Sequence, residues 1–452
     1  MKFSSLAPVG LLAALLPLQS VQAQDEVYSS PHYSLGFNVY STATGGSWPK
    51  STAVGDFTGD GFADVAVGDK TDKNIRVFAN QQDGTFAELA GQLPIPLGGS
   101  PYYMRAADMD GDGWSDLVAV DVFAKKVLVF RNQGGYFTNS YNNSVMYPAP
   151  SQWAYMRVDT TRNSSLNNVH GGFSEKVIAL ALADLNRDGK LDIVASHLED
   201  DTVFAFFNSS TPGSLSFAEA TVNGVAQRIE LPARSTPWAL QAADINKDGR
   251  SDIAMNLTNG ATLGTSTQAP NDVDGSLKVL FGCDSSSMRL CVDSNSTPLQ
   301  YWPYELAARD MNGDFRPDLM VVNTVENTLS MLRNTTPTGA MTASFAVTTY
   351  YVGKEPKSLA VADFNGDCLQ DVIVSNHLSE TFSIPPSMSV LLNTPGAAGT
   401  FWQEEITSVP YLDRGVAMTQ ANLNNDNMMD VLLVGATSKN IISMLNFAPA
   451  CY

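Results

Sequence analysis

A nine-residue acidic pattern recurs seven times along this chain, and no other feature limits the fold as much. The copies lie at residues 56–64, 108–116, 184–192, 244–252, 310–318, 363–371 and 422–430. Their starts are 52, 76, 60, 66, 53 and 59 residues apart, a mean period of 61. Each copy sits between short β-rich runs, such as 117–120 (Leu-Val-Ala-Val), 193–195 and 431–434 after the loop. A third run follows, as at 126–130 and 388–392, and a fourth starts at an aromatic: Phe86, Phe137, Phe217, Phe345 or Phe401. Four short strands in each unit of about 60 residues describe a propeller blade rather than a solenoid coil. The expected fold is all-β, a seven-bladed β-propeller of four-stranded blades.

Closure of the ring is also foreseeable. Blade seven runs out of chain after its third run, 441–445, with seven residues left. The segment 33–40 precedes the first blade and can supply the missing strand, which leaves no open sheet edge.

Within the pattern, side-chain oxygens fall at positions 1, 3, 5 and 9. They are Asp56, Thr58, Asp60 and Asp64; Asp108, Asp110, Asp112 and Asp116; Asp184, Asn186, Asp188 and Asp192; and Asp244, Asn246, Asp248 and Asp252. The last three copies carry Asp310, Asn312, Asp314 and Asp318; Asp363, Asn365, Asp367 and Asp371; and Asn422, Asn424, Asp426 and Asp430. Alternate residues of a tight loop point inward, and position 7 can add its carbonyl. Several hard oxygens with multiple negative charges suit Ca²⁺, up to seven ions in all. Glycine at position 6 permits the left-handed bend in the first four loops. Phe315 and Cys368 replace it in the fifth and sixth, and Asn427 in the seventh. An EF-hand is excluded, because position 12 is apolar (Val67, Ala119, Ala195) where a bidentate Glu is required. Seven Ca²⁺ would offset 14 charges of the formal −19.

These Asp-Xaa-Asn-Gly-Asp-Gly loops resemble FG-GAP/VCBS repeats, the kind found in the propeller of integrin α chains and in secreted fungal lectin-like propellers. The resemblance spans residues 33–447. It implies calcium in the loops between first and second strands, on one face, with ligands taken on the opposite face or between blades.

The N-terminus reads as a secretory signal peptide over 1–23: Lys2, an apolar stretch from Pro8 to Pro17, and Val-Gln-Ala at 21–23. The remainder, 24–452, is one propeller domain, expected outside the cell, with no later run long enough to span a bilayer. The acidic charge argues against nucleic acid as a partner. Cys283, Cys291, Cys368 and Cys451 are an even set in an oxidising compartment. The first two bracket a short loop, and the other pair would tie the sixth repeat to the C-terminus, although four cysteines permit three pairings. Sequons occur at Asn142, Asn163, Asn208, Asn256, Asn295 and Asn334.

A carbohydrate or an extracellular protein is the expected partner. If the acidic loops mark one face, the first strands start on the other. Prolines 49, 101, 237, 303 and 356 stand at those starts, beside the candidate ligand-binding aromatics Trp48, Tyr103, Trp238 and Trp302. The polar residues Asp69, Asp121, His197, Asn323 and Asn376 end the second strands on that face. Two insertions, 138–174 with Tyr147, Trp153, Tyr155 and His170, and 258–276, emerge beside them. An aromatic face next to amides and carboxylates suits a sugar, but the same groups could pack between blades and cap strands. No catalytic constellation stands out, so a binding, lectin- or adhesion-like role leads. A dehydratase or lyase acting on carbohydrate is the alternative.

Overall fold

The computed structural model describes residues 21–29, 34–122, 126–137, 155–157, 177–197, 201–219, 221–222, 225–226, 228–232, 235–258, 275–284, 289–377, 387–394, 399–406 and 415–447. Each acidic loop leads into a six-residue apolar strand: Asp64–Asp69, Asp116–Asp121, Asp192–His197, Asp252–Leu257, Asp318–Asn323, Asp371–Asn376 and Asp430–Gly435. All seven are buried along their whole length. Burial on both sheet faces explains why these segments read as continuous Val/Ile/Leu runs instead of alternating ones.

The innermost strand of each blade precedes the loop. These are Pro49–Gly55, Pro101–Ala107, Val177–Ala183, Pro237–Ala243, Pro303–Arg309, Pro356–Ala362 and Gly415–Ala421. Each pairs antiparallel with its second strand and touches the innermost strands of both neighbours, the seventh meeting the first. The third strands are Asn74–Asn80, Lys126–Phe130, Thr202–Asn208, Ser276–Asp284, Thr328–Asn334, Ser387–Asn393 and Asn440–Asn446. The described residues contain no helix. The chain is therefore a seven-bladed β-propeller, its apolar side chains packed between adjacent sheets.

Blade seven joins both ends of the chain. Ser34–Ala43 is its fourth strand, with Phe37 opposite Asn446 and Ala43 opposite Asn440. A fifth strand, Val21–Ser29, pairs outside it and begins three residues within the segment read as a leader. Blade two departs from expectation. Phe137 does not open the fourth strand but makes an isolated bridge to Asn132, and Tyr155–Arg157 pairs with the third strand instead. The stretch 138–174 is thus not one uninterrupted insertion, because a three-residue strand is too short to show a period. Tyr147, Trp153 and His170 lie outside the described residues.

A hydrogen-bond relay joins the blades. At the end of the third strand, or in blade two just past it, stands Asn80, Asn132, Asn208, Asn334, Asn393 or Asn446, each nearly fully buried. Their Nδ2 groups donate to the backbone carbonyls of Leu423, Phe57, Met109, Ile245, Met311 and Phe364, each in the loop of the preceding blade. In blade four Gly282 takes this place, tight against Arg250 and Ser251, so the seam between blades three and four lacks the amide. Arg187 reaches across that seam instead, donating to the Gly249 carbonyl. The relay corrects the sequon reading: Asn208 and Asn334 are buried latch residues, and Asn256 is buried with its Oδ1 accepting from the Ala239 amide. Among the described sequons, only Asn295 is exposed.

Cys283 and Cys291 form a disulfide, as their spacing allows. Cys368 is also disulfide-bonded, and its expected partner, Cys451, lies outside the described residues.

Candidate functional site

The acidic loops share one hydrogen-bond plan. The position 9 carboxylate is buried and ties the loop shut. Its Oδ2 accepts from the position 2 amide (Phe57, Met109, Leu185, Ile245, Met311, Phe364, Leu423) at 2.7–3.0 Å. Its Oδ1 accepts at 2.7–2.9 Å from the backbone amide of Asn80, Asn132, Asn208, Gly282, Asn334, Asn393 or Asn446. A carboxylate keeps further lone pairs after two such bonds. Position 1 organises the bend: Asp56 accepts from the amides of Gly59, Asp60 and Gly61, and Asp310 from those of Gly313, Asp314 and Phe315. Position 3 amides reach the position 5 carboxylate, as Asn186 reaches Asp188 and Asn365 reaches Asp367.

Two residues per loop, not one, are left-handed. Positions 4 and 6 have positive φ throughout: Gly59 and Gly61, Gly111 and Gly113, Arg187 and Gly189, Lys247 and Gly249, Gly313 and Phe315, Gly366 and Cys368, Asn425 and Asn427. The sequence points only to position 6, because Arg and Lys at position 4 disguise the requirement.

Among the described residues, only the second loop pairs its carboxylates with a protein cation. Burial pushes the position 9 carboxyls up, to about 7 for Asp116, Asp252 and Asp430, about 6 for Asp192 and Asp318, and about 8 for Asp371; Asp64 moves the same way. Neighbouring loop carboxylates push Asp116, Asp192, Asp318 and Asp371 further up. In the second loop, Asp108, Asp110 and Asp116 bring carboxylate oxygens within 4.8 Å of one another. In the seventh, Asn422 Oδ1 is buried with no hydrogen-bond partner. Converging hard oxygens and an orphaned acceptor fit a calcium-sized cation. The second loop differs in one respect: Arg131 donates Nε to Asp110 at 2.6 Å and Nη2 to Asp112 at 2.6 Å, so a guanidinium already sits on two of its oxygens.

The other candidate site lies on the ring axis. A cavity of about 490 Å³ runs between the innermost strands, lined among others by Lys50, Tyr102, Tyr103, Arg105, Tyr304 and Glu305. In all seven blades the innermost strand carries a register shift across its second residue, from Pro49/Ser51 to Gly415/Ala417. The shifted residues include Lys50, Tyr102, Trp238, Tyr304 and Lys357. A bulge leaves its extra residue unpaired and re-aims the side chain. Lys50 Nζ donates to Tyr304 Oη at 3.1 Å and lies 4.8 Å from the Tyr102 ring centre. Lys357 Nζ stands 4.8 Å from the Tyr304 ring centre. Despite strong burial, these two ammoniums hold the Tyr304 phenol below its ordinary range. Burial raises Glu305 to about 7 against the opposing pull of a Ser358 hydrogen bond and the charges of Arg105 and Lys50.

The aromatics singled out from sequence divide among different environments. Tyr103 lines the cavity, with Arg105 5.8 Å from its ring centre. Trp48 is 38% exposed at the start of its strand. Trp238 and Trp302 are 4% and 2% exposed and pack edge to face, with Trp238 also against Tyr304. Those two rings are core: they brace Tyr304 and offer no free face to a sugar. Trp153 is outside the described residues. The polar strand ends are caps. Asp69 accepts from the Trp48 amide, Asp121 from Gly99, and the Asn323 and Asn376 side chains bond Thr328 and Ser387. Sequence reading passed over Lys50, Arg105, Glu305 and Lys357. The signal available for Lys50 and Lys357 was their place directly after the strand-opening proline, opposite Tyr102, Trp238 and Tyr304.

Seven radial sheets, each with an acidic loop between its first and second strands, define an acidic-loop β-propeller. A family model described as FG-GAP-like repeat matches residues 56–119, 184–255 and 310–374, each match starting at one acidic loop and running past the next. The chain is a seven-bladed β-propeller that carries FG-GAP-like repeats. No curated protein matches it.

Proposed function

We propose that this protein is a secreted, calcium-loaded propeller that binds carbohydrate, with metal on one face and ligand at the opposite mouth of the axial cavity. The observation that carries the reading is that cavity. Its volume lies within the range of small-ligand sites, and aromatic rings converge there with charged groups. Calcium would be held by the oxygens at positions 1, 3, 5 and 9 with the carbonyl of position 7. Its part would be to neutralise the loops and so stiffen the scaffold behind the ligand site. The disulfide and the FG-GAP repeats support an extracellular setting, and no helix of the described residues is long and apolar enough to cross a membrane.

A glycan-array screen, run in millimolar calcium and again with chelator, tests this. Binding to a defined sugar that weakens on chelation supports the reading. Absence of binding in both conditions sinks it.

One arrangement favours the alternative of sugar dehydration or elimination: the Tyr304 phenol accepts from Lys50 Nζ at 3.1 Å with Lys357 Nζ 4.8 Å from its ring centre, and a phenol beside two ammoniums can serve as a base. Release of an unsaturated sugar, followed by ultraviolet absorbance and abolished in Tyr304→Phe, would establish it.

A further inference from the structure

We propose that the mouth of the axial cavity selects a sugar that bears a carboxylate, with Lys50 as the anchor for that carboxylate and Lys357 as its flank. The inference rests on the carbohydrate-binding reading and names the class of sugar. The first support is charge. The whole chain carries a formal −19, yet towards this mouth the cavity lining sets Lys50 and Arg105 against a single acid, Glu305, while Arg309 lies at the far end beside Asp310. An electropositive hole in an acidic molecule has no evident packing purpose, since like charges gathered away from water cost stability.

The second support is unmet bonding. Lys50 has three N–H donors and, among the described residues, a single hydrogen bond, to Tyr304 Oη. Lys357 faces the Tyr304 ring and makes no hydrogen bond among the described residues. Neither forms an ion pair with a carboxylate of the described residues. An incoming carboxylate would supply charge-assisted bonds, the stronger kind. The third support is placement. Lys50, Tyr304 and Lys357 are all bulge residues, aimed by the same backbone device at one end of the axis. Trp238 braces the Tyr304 ring from behind. Glu305, its carboxyl raised by burial, opposes the added anion less than an ordinary glutamate would.

The test is calorimetric titration of the calcium-loaded protein with galacturonate and glucuronate, compared with galactose, glucose and acetate. The uronates are expected to bind at least tenfold more tightly than either neutral parent sugar and than acetate. Lys50→Gln should lower uronate affinity about tenfold or more, Lys357→Gln several-fold, and Lys50→Arg should retain the preference for acid over neutral sugar. Equal binding of acid and neutral sugars, unchanged affinity in Lys50→Gln, or acetate binding as tight as uronate overturns the proposal. Should Lys50→Gln fail to match the wild-type melting curve, Lys357→Gln and the acid-to-neutral ratio decide. Glycan-array binding confined to neutral sugars, and unaffected by Lys50→Gln, would remove the acidic-sugar site yet leave the lectin reading standing. An array without any binding removes both.

Discussion

Single residues in this ring hold conformations that cost energy, and the cost can be measured. Phe315 sits at position 6 of the fifth loop with φ near 62° and 80% of its surface exposed. A left-handed residue with a Cβ costs about 1–2 kcal/mol, partly offset by the greater entropy glycine loses on folding. Phe315→Gly is therefore expected to stabilise the protein by about 0.5–1 kcal/mol, and an unchanged or lower urea midpoint would count against this account. Arg131 offers a second residue-level prediction. Its guanidinium occupies oxygens of Asp110 and Asp112 that calcium would need. Charge-assisted bonds of this kind are worth about 1.5–3 kcal/mol, so Arg131→Ala should tighten calcium binding at the second loop about tenfold. Calorimetry that finds the same affinity in the variant would refute the competition. Glu305 supplies the pH dependence. Its folded pKa, about 7, lies above the ordinary 4.5, so the folded state holds the proton longer than the unfolded chain does. Stability from this group is greatest below pH 4.5 and declines as pH rises towards 7. The melting-temperature gain of Glu305→Gln over wild type should then grow across that window and level off above it. A gain already complete at pH 4 would contradict the assignment.

At the scale of strands and loops, the seams between blades are not equivalent. Six of them carry the buried Asn latch, and the seam between blades three and four relies on Arg187 at the surface. A buried amide whose partners would be orphaned by truncation is worth about 1–3 kcal/mol. Asn132→Ala should cost that much, whereas Arg187→Ala should cost less than about 1 kcal/mol. Amide hydrogen exchange should find the strands flanking the three–four seam opening first. Uniform protection around the ring would show that the latches do not set local stability.

The same scale explains what could be read without coordinates. The acidic loops, the buried second strands and the borrowed closing strand were all legible, because each repeats a local pattern that only one architecture satisfies. The axial site was not. Lys50, Tyr304, Glu305 and Lys357 are brought together by ring closure from three blades, and no period links a lysine at 50 to one at 357. Trp238 and Trp302 misled for the complementary reason. A tryptophan beside a strand-opening proline looks the same in sequence whether it faces solvent or the neighbouring sheet.

For the molecule as a whole, the acidic loops form a band of like charge around one face. Each bound ion at a hundredfold its dissociation constant adds about 2.7 kcal/mol of stability. Chelation should lower the melting temperature by more than about 5 °C, and an unmoved transition would remove metal from the stability of the ring. The closing strand has a further consequence, in the order of manufacture. Phe37 is made well before its partner, Asn446, so the closing sheet cannot form until the strand Asn440–Asn446 has been synthesised. Until then a growing array of blades has two unpaired edges, each a template for pairing with another chain. The earlier-made strand, Ser34–Ala43, must therefore stay unpaired until the last blade is built, which makes it a stretch for a cell's chaperones to guard.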